Sequence, residues 1–383
     1  MKLSNKNPSI KPKFNQKRPI LISLKLFTLL MFSFLTLNLW GDSLKLNENK
    51  VKVHLNKPTH KKPIIVVLGE NQYTELTDFI VPYGILKRSY LAEVYAIADK
   101  RGKIDFFPAL SMENNTSLED FDILYPEGSD IVIVPAIHNA KNGNIIHWIQ
   151  KQYKLGATIV GVCDGVWTLG YAGLLKNKHA TGHWYSKEKL SSTFSDSIWI
   201  KNKRYVQDQR IITTAGVTAS IPISLALVEA LGGRKKADEI ALMLGITEWN
   251  SQHNSDEFYF DWRQYLTATK NLIFFWDYET LEIPIYDGID EISLALVADV
   301  YSRTYKSKTI TIRYGNHPIQ TKSGIKFLSE VKEEENIKNH TILEIPEKKK
   351  AFNQFEHSLN DVEKRYGLNT KLFVKTQLEF PNH

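Results

Sequence analysis

Residues 157–175 read ATIVGVCDGVWTLGYAGLL. The run ATIVGV (157–162) is apolar without alternation, as suits a strand covered on both faces. It delivers Cys163 to its carboxyl end, and 165–175 then follows with the pattern of a helix. In open α/β sheets, reactive groups gather at the carboxyl ends of strands. A tight turn from strand through nucleophile to helix needs a small residue close by, which Gly165 supplies. The start of the helix is expected to draw the Cys163 thiol towards thiolate, and the Asp164 backbone N–H is placed as an oxyanion donor.

Upstream and downstream, the chain alternates in the same way. PIIVVL (63–68) and DIVIVP (130–135) are further buried strands, and 91–98 alternates as a strand. Between them, 74–88 has helical spacing of Leu76, Phe79, Ile80, Tyr83 and Leu86, and 145–155 is a helix ended by Gly156. Residues 205–214 read as a hairpin-like strand pair, and 220–231 as a helix stopped by Gly232-Gly233. Strands alternating with helices predict a parallel sheet covered on both faces, over a first domain at 62–248.

Residues 249–280 form an aromatic-rich connection, after which the pattern begins again. Residues 283–286, 308–312 and 340–345 read as strands, and 290–304 (DEISLALVADVYSRT) as a helix whose apolar spacing resembles TELTDFIVPYGILKR (74–88). Two readings of 281–383 stand: a degenerate, truncated second copy, or a small α/β extension. Leu294 sits where Asp78 stands, and there is no second cysteine, so this unit cannot perform the same chemistry.

The N-terminus is of a different kind. Residues 1–25 carry seven Lys and Arg and no acid, and removing those seven from the 49 Lys+Arg of the chain leaves 42, against 42 Asp+Glu. The net charge of +7 thus belongs to the tail (1–18) and Lys25, and the balanced body argues against a nucleic-acid-binding surface. Residues 19–40 (PILISLKLFTLLMFSFLTLNLW) are long and apolar enough for one transmembrane helix, Lys25 snorkelling to the headgroups. The basic flank predicts a cytoplasmic N-terminus and an extracytoplasmic body, periplasmic or extracellular. The competing reading is a signal peptide whose cleavage releases a secreted protein, but Leu39-Trp40-Gly41 is a poor cleavage site. Residues 41–61 read as a polar linker.

Cys163 is the only cysteine, which excludes an intramolecular disulfide and argues against a Cys-based zinc site. His179 and His183 are four apart, but Gly182 between them and their loop context argue against a metal. No metal or cofactor is expected.

Four stretches together resemble the DJ-1/PfpI family, within the class I glutamine-amidotransferase-like superfamily. They are the Cys163 turn with AGLL (172–175), ATGHW (180–184), VQDQRIITTAGVTASI (206–221) and TELTDFIVPYGIL (74–86). Their spacing is most similar to the amidase-like domain of AraC-type regulators and isonitrile hydratases. The resemblance spans 62–248 and implies a flavodoxin-like three-layer sandwich with a mostly parallel sheet. It implies that an acid four residues before a helix proline, here Asp78 before Pro82, contacts the thiol. It makes His183 a candidate base or a residue that holds the local turn, and it makes a homodimer an expectation. Two departures stand out. Many hydrolytic members have His after the cysteine, where Asp164 stands here, and a Gly-Gly turn that offers a second oxyanion donor is replaced by Ala136-Ile137.

The expected site is therefore catalytic Cys163, Asp78 and His183, with Asp164 and Gly165 forming the elbow. Glu75 is expected to be a solvated charge in the first turn of its helix, the alternative being that it lines the pocket. The expected function is that of a membrane-anchored, cysteine-dependent hydrolase, hydratase or lyase acting on a small electrophile such as an amide, isonitrile or reactive carbonyl. The alternative is a non-catalytic sensor or binding module that retains the scaffold.

Overall fold

A computed structural model of the chain describes residues 52–274, 276, 278–314, 319–332 and 341–381. The transmembrane helix or signal peptide expected at 19–40 and the basic tail lie outside the described residues. Among the described residues, no helix is long and apolar enough to cross a membrane.

The central sheet has six strands in the order Tyr205–Asp208, Ile211–Thr214, Thr158–Gly161, Ile131–Val134, Ile64–Gly69 and Glu93–Ala98. All pairs are parallel except the first, the antiparallel hairpin read from 205–214. The strands Ile64–Gly69, Ile131–Val134 and Thr158–Gly161 are buried at every position. Two separate apolar clusters occupy the two faces of the sheet, giving the flavodoxin-like three-layer arrangement. A small sheet of Gln72–Glu75, Gly102–Phe107 and Ser111–Asn114, absent from the sequence reading, pairs beside it.

A second sheet follows, in the order Glu330–Lys332, Ser307–Tyr314, Glu279–Pro284 and Thr341–Ile342, with every pair parallel. Its central strand has neighbours of the same kind as Ile64–Gly69: the strand after its own helix on one side and a later strand on the other. The helix Glu291–Ser302 is buried along its whole length, and Leu76–Ser89 nearly so. A helix apolar on all sides is one covered on all sides, and these two pack against each other. A Cβ on Gly84 would lie 2.7 Å from Ile292 Cγ1, so the missing side chain sets how closely they approach. At each end of the contact a Glu from one helix start meets an Arg from the other helix end. Glu75 pairs with Arg303 (2.6 Å), and Glu291 with Arg88 (2.5 Å).

The expected linker is only partly a tether. Val53 is buried in the main core, and the His54 backbone exchanges hydrogen bonds of 2.9 and 2.7 Å with the Gln207 side chain. The aromatic-rich connection contains a capped helix, Trp262–Ile273, and two further helices, Ala351–Tyr366 and Leu368–Leu378, complete the chain.

Candidate active site

The strand Thr158–Gly161 delivers Cys163 to the carboxyl edge of the sheet, and the helix Gly165–Tyr171 starts two residues later. Cys163 has φ 54°, the left-handed region. For a residue with a side chain this costs on the order of 1–3 kcal/mol, and it persists only where surrounding contacts enforce it. Here the Cys163 N–H donates to Thr214 Oγ1 (3.1 Å) and the Gly165 N–H to the Val162 carbonyl (2.8 Å). Gly165 is required on steric grounds. A Cβ there would lie 2.0 Å from the Val134 carbonyl oxygen.

Cys163 opens into a cleft of about 540 Å³ whose wall includes Glu75, His183, Phe107, Arg303 and Gln377. Glu75 caps the helix that follows it: its side chain accepts from the Asp78 N–H, and its own N–H donates to the Ala136 carbonyl (2.8 Å). Its other carboxylate oxygen accepts from Arg303 Nη2 at 2.6 Å. Arg303 Nε in turn donates to Asp299 (2.6 Å), whose second oxygen accepts from Thr77 Oγ1 (2.8 Å). Glu75 is 5% exposed, so the expectation of a solvated charge is corrected. The strand Gln72–Glu75 and the second sheet's helix enclose it, and neither is evident in the local sequence.

Asp78 is fully buried and does not line the cleft. Its Oδ2 accepts from the Ala136 N–H (3.2 Å), and Oδ1 has no hydrogen-bond partner. Among the described residues, no hydrogen bond joins Asp78 to the Cys163 thiol. Burial pushes the Asp78 carboxyl up to about 7, against the opposing pull of the Ala136 amide and Arg303. Burial, with Asp78 and Asp299 nearby, also pushes Glu75 well above the carboxylate range. Three acids thus share one guanidinium, and the set favours holding a proton.

The thiol follows the same logic. Burial first, then the charges of Asp78, Asp164 and Glu75, push Cys163 well above its ordinary value, although the Asp164 N–H hydrogen-bonds to it. The expectation of a thiol drawn towards thiolate by the helix start is therefore corrected. A seven-residue helix does not offset desolvation among three acids. The Asp164 amide is directed at the sulfur, as an oxyanion donor beside it would be, but the Ala136 amide is taken by Asp78. His183 lines the cleft, with Nε2 3.3 Å from the Gln377 carbonyl oxygen. His179 points elsewhere and pairs with Asp208 (2.9 Å). Among the described residues, no group of three metal-ligating side chains forms.

Arg303, Gln377, Phe107 and Thr214 escaped the sequence reading as site residues. Arg303 had one available signal. In the alignment of 74–88 with 290–304 it falls opposite Lys87, beside Arg88, so a basic residue recurs where each helix ends.

This elbow, with its carboxyl-edge cysteine and acid-bearing first helix, defines a class of protein that comparison with known sequences specifies. Residues 62–230 match the DJ-1/PfpI family, and the chain carries a domain of that family. It is 26% identical over 253 residues to protein DJ-1 homolog A of Arabidopsis thaliana, covering 63% of this chain and 59% of that protein. It is 28% identical over 171 residues to an isonitrile hydratase of Pseudomonas putida, covering 44% and 72%. A third relative is the HTH-type transcriptional regulator CdhR of Pseudomonas aeruginosa, 29% identical over 97 residues, covering 25% and 29%. The match to the Arabidopsis protein thus spans about three fifths of that protein's length.

Proposed function

We propose that the chain uses Cys163 as a nucleophile on a small, largely apolar electrophile bound in the 540 Å³ cleft. The observation that carries this reading is Cys163, held at φ 54° at the strand edge, sharing that cleft with the buried carboxyl of Glu75. The thiol rests protonated. On attack, the S–C bond forms as the thiol proton passes to a carboxylate of the Glu75–Asp78 pair. The carboxyl then returns that proton to the attacked carbon, and with an isonitrile water adds to the resulting thioimidate, breaking the S–C bond to release a formamide and restore the thiol. With the Ala136 amide engaged, charge on a substrate oxygen has one backbone donor, from Asp164. Addition to an isonitrile, whose attacked carbon bears no oxygen, is therefore favoured over amide hydrolysis. Turnover of an alkyl isonitrile by the intact protein, and its loss in a folded Cys163→Ser variant, is the expected result. Turnover unchanged by that substitution overturns the reading.

The engaged Ala136 amide and the high thiol also favour a second reading, a binding module that keeps the scaffold without turnover. It requires ligand affinity that survives Cys163→Ser.

We propose further that residues 19–40 anchor the protein with its N-terminus in the cytoplasm. Apart from the basic flank, support comes from the helix Trp262–Ile273, which exposes Trp262, Tyr265, Leu266, Leu272 and Ile273 at 57–69%. Trp and Tyr on an exposed apolar strip are typical of surfaces that meet lipid headgroups. Full-length protein is expected to stay in the membrane pellet after alkaline carbonate, whereas release into the supernatant contradicts the anchor. The matching arrangement of strands about Ile64–Gly69 and Glu279–Pro284 supports an origin of 281–383 as a degenerate second copy.

A further inference from the structure

A second cavity, of about 820 Å³, lies where the stretch 245–258 meets the helix Ala351–Tyr366 and the end of the chain. It shares no lining residue with the Cys163 cleft. We infer that it binds a small zwitterion with an apolar side chain, of the α-amino-acid class.

Three features of the wall specify this chemistry. The first is Arg204. Its Nε donates to the Gln252 carbonyl (3.1 Å), and among the described residues no ion pair engages its guanidinium. Burial pulls the guanidinium below its ordinary value against the opposing pull of the buried Glu379 carboxylate, and a ligand carboxylate would supply a direct partner. The second feature is His253. Its side chain is 1% exposed, its ring stacks on Phe258 at 5.1 Å, and its Nε2 lies 2.6 Å from Glu379 Oε1. Nδ1 is buried with no hydrogen-bond partner. Nε2 faces the Glu379 carboxylate, so Nδ1 is the ring nitrogen left for a polar group of a ligand.

The third feature is the division of charge. The interior cation contrasts with Glu248, Glu257 and Glu356, of which Glu248 and Glu356 are exposed. A simple carboxylic acid satisfies Arg204 but meets these acids unpaired. A simple amine satisfies the acids but places a cation against Arg204. A zwitterion answers both, and Phe258, Phe352 and Phe380 supply apolar wall for its side chain.

The test uses three probes of matched size on the full-length protein: L-phenylalanine, phenylacetate and phenethylamine, measured by calorimetry. L-Phenylalanine is expected to bind about tenfold more tightly than either of the others, the scale of one charged hydrogen-bonding partner. Arg204→Gln is expected to weaken it by about tenfold or more. Because Arg204 is largely buried, Phe352→Trp at the half-buried wall provides a second variant, which narrows the cavity and is expected to weaken binding similarly. No binding of L-phenylalanine at about 10 mM overturns the inference, as does equal binding of all three probes. Unchanged affinity in either folded variant overturns it as well. Cys163→Ser is expected to leave this binding intact, so loss of the nucleophile reading leaves this site standing.

Discussion

Arg303 Nη2 lies 2.6 Å from Glu75 Oε1, across 228 residues of chain. Through this contact the second unit supplies part of the wall of the Cys163 cleft, and a buried acid lining that cleft is held by a cation from outside the matched DJ-1/PfpI segment. The unit that lacks a cysteine of its own therefore helps complete the site in the first.

Removing that cation should be expensive. Arg303→Met leaves Glu75 and Asp299 buried without compensation, and we expect a loss of about 3–5 kcal/mol in denaturant unfolding. Arg303→Lys should restore only part of this, since an ammonium cannot reproduce the fork that meets both carboxylates. A loss below about 1 kcal/mol for Arg303→Met would mean that the pair is solvated.

The thiol should titrate late. Its rate of alkylation by iodoacetamide is expected to keep rising above pH 9, because only the thiolate reacts and the folded site disfavours it. Asp78→Asn and Asp164→Asn each remove a negative charge that raises the thiol, so each should speed alkylation at pH 7.5. A wild-type plateau below pH 8 contradicts this account.

Stability should depend on Asp78 in a definite direction. Its carboxyl titrates near 7 in the folded chain, above its ordinary 3.8. Between these values the folded state holds a proton that the unfolded state has lost. The contribution is fully present below about pH 4, and it falls as pH rises to about 7. Asp78→Asn cannot lose this proton, so stability relative to wild type should rise across that window in urea titrations. A difference that is flat with pH contradicts the burial of Asp78 as a neutral acid.

Gly165→Ala should be severe for a local reason. The added Cβ would stand 2.0 Å from a backbone carbonyl oxygen that cannot rotate away. We expect a loss of about 3 kcal/mol or more, beyond the range of ordinary overpacking. Gly143→Ala, at a helix start with open space around it, should be within about 0.5 kcal/mol of wild type.

The first domain was legible because its signals are local. Continuous apolar runs mark strands buried on both faces, and the single cysteine followed by Asp-Gly marks the turn between strand and helix. The small sheet at 72–114 was missed because Gly102–Phe107 mixes exposed, half-buried and buried positions without clean alternation. The helices after 351 were missed because their polar faces mask a buried stripe that is visible only once neighbours are in place.

At the site, the sequence by itself determined the elbow, the cysteine it carries and the acids at the start of the first helix. These depend on residue type and short spacing, which chain geometry converts directly into position. Tertiary structure alone decided that Glu75 is buried, that Arg303 and Gln377 enter the wall, and that the thiol is driven up rather than down. The first two follow from packing between segments more than 200 residues apart and the third from burial among acids of separate elements, because desolvation is set by what covers a group, and no local pattern of residues specifies its cover.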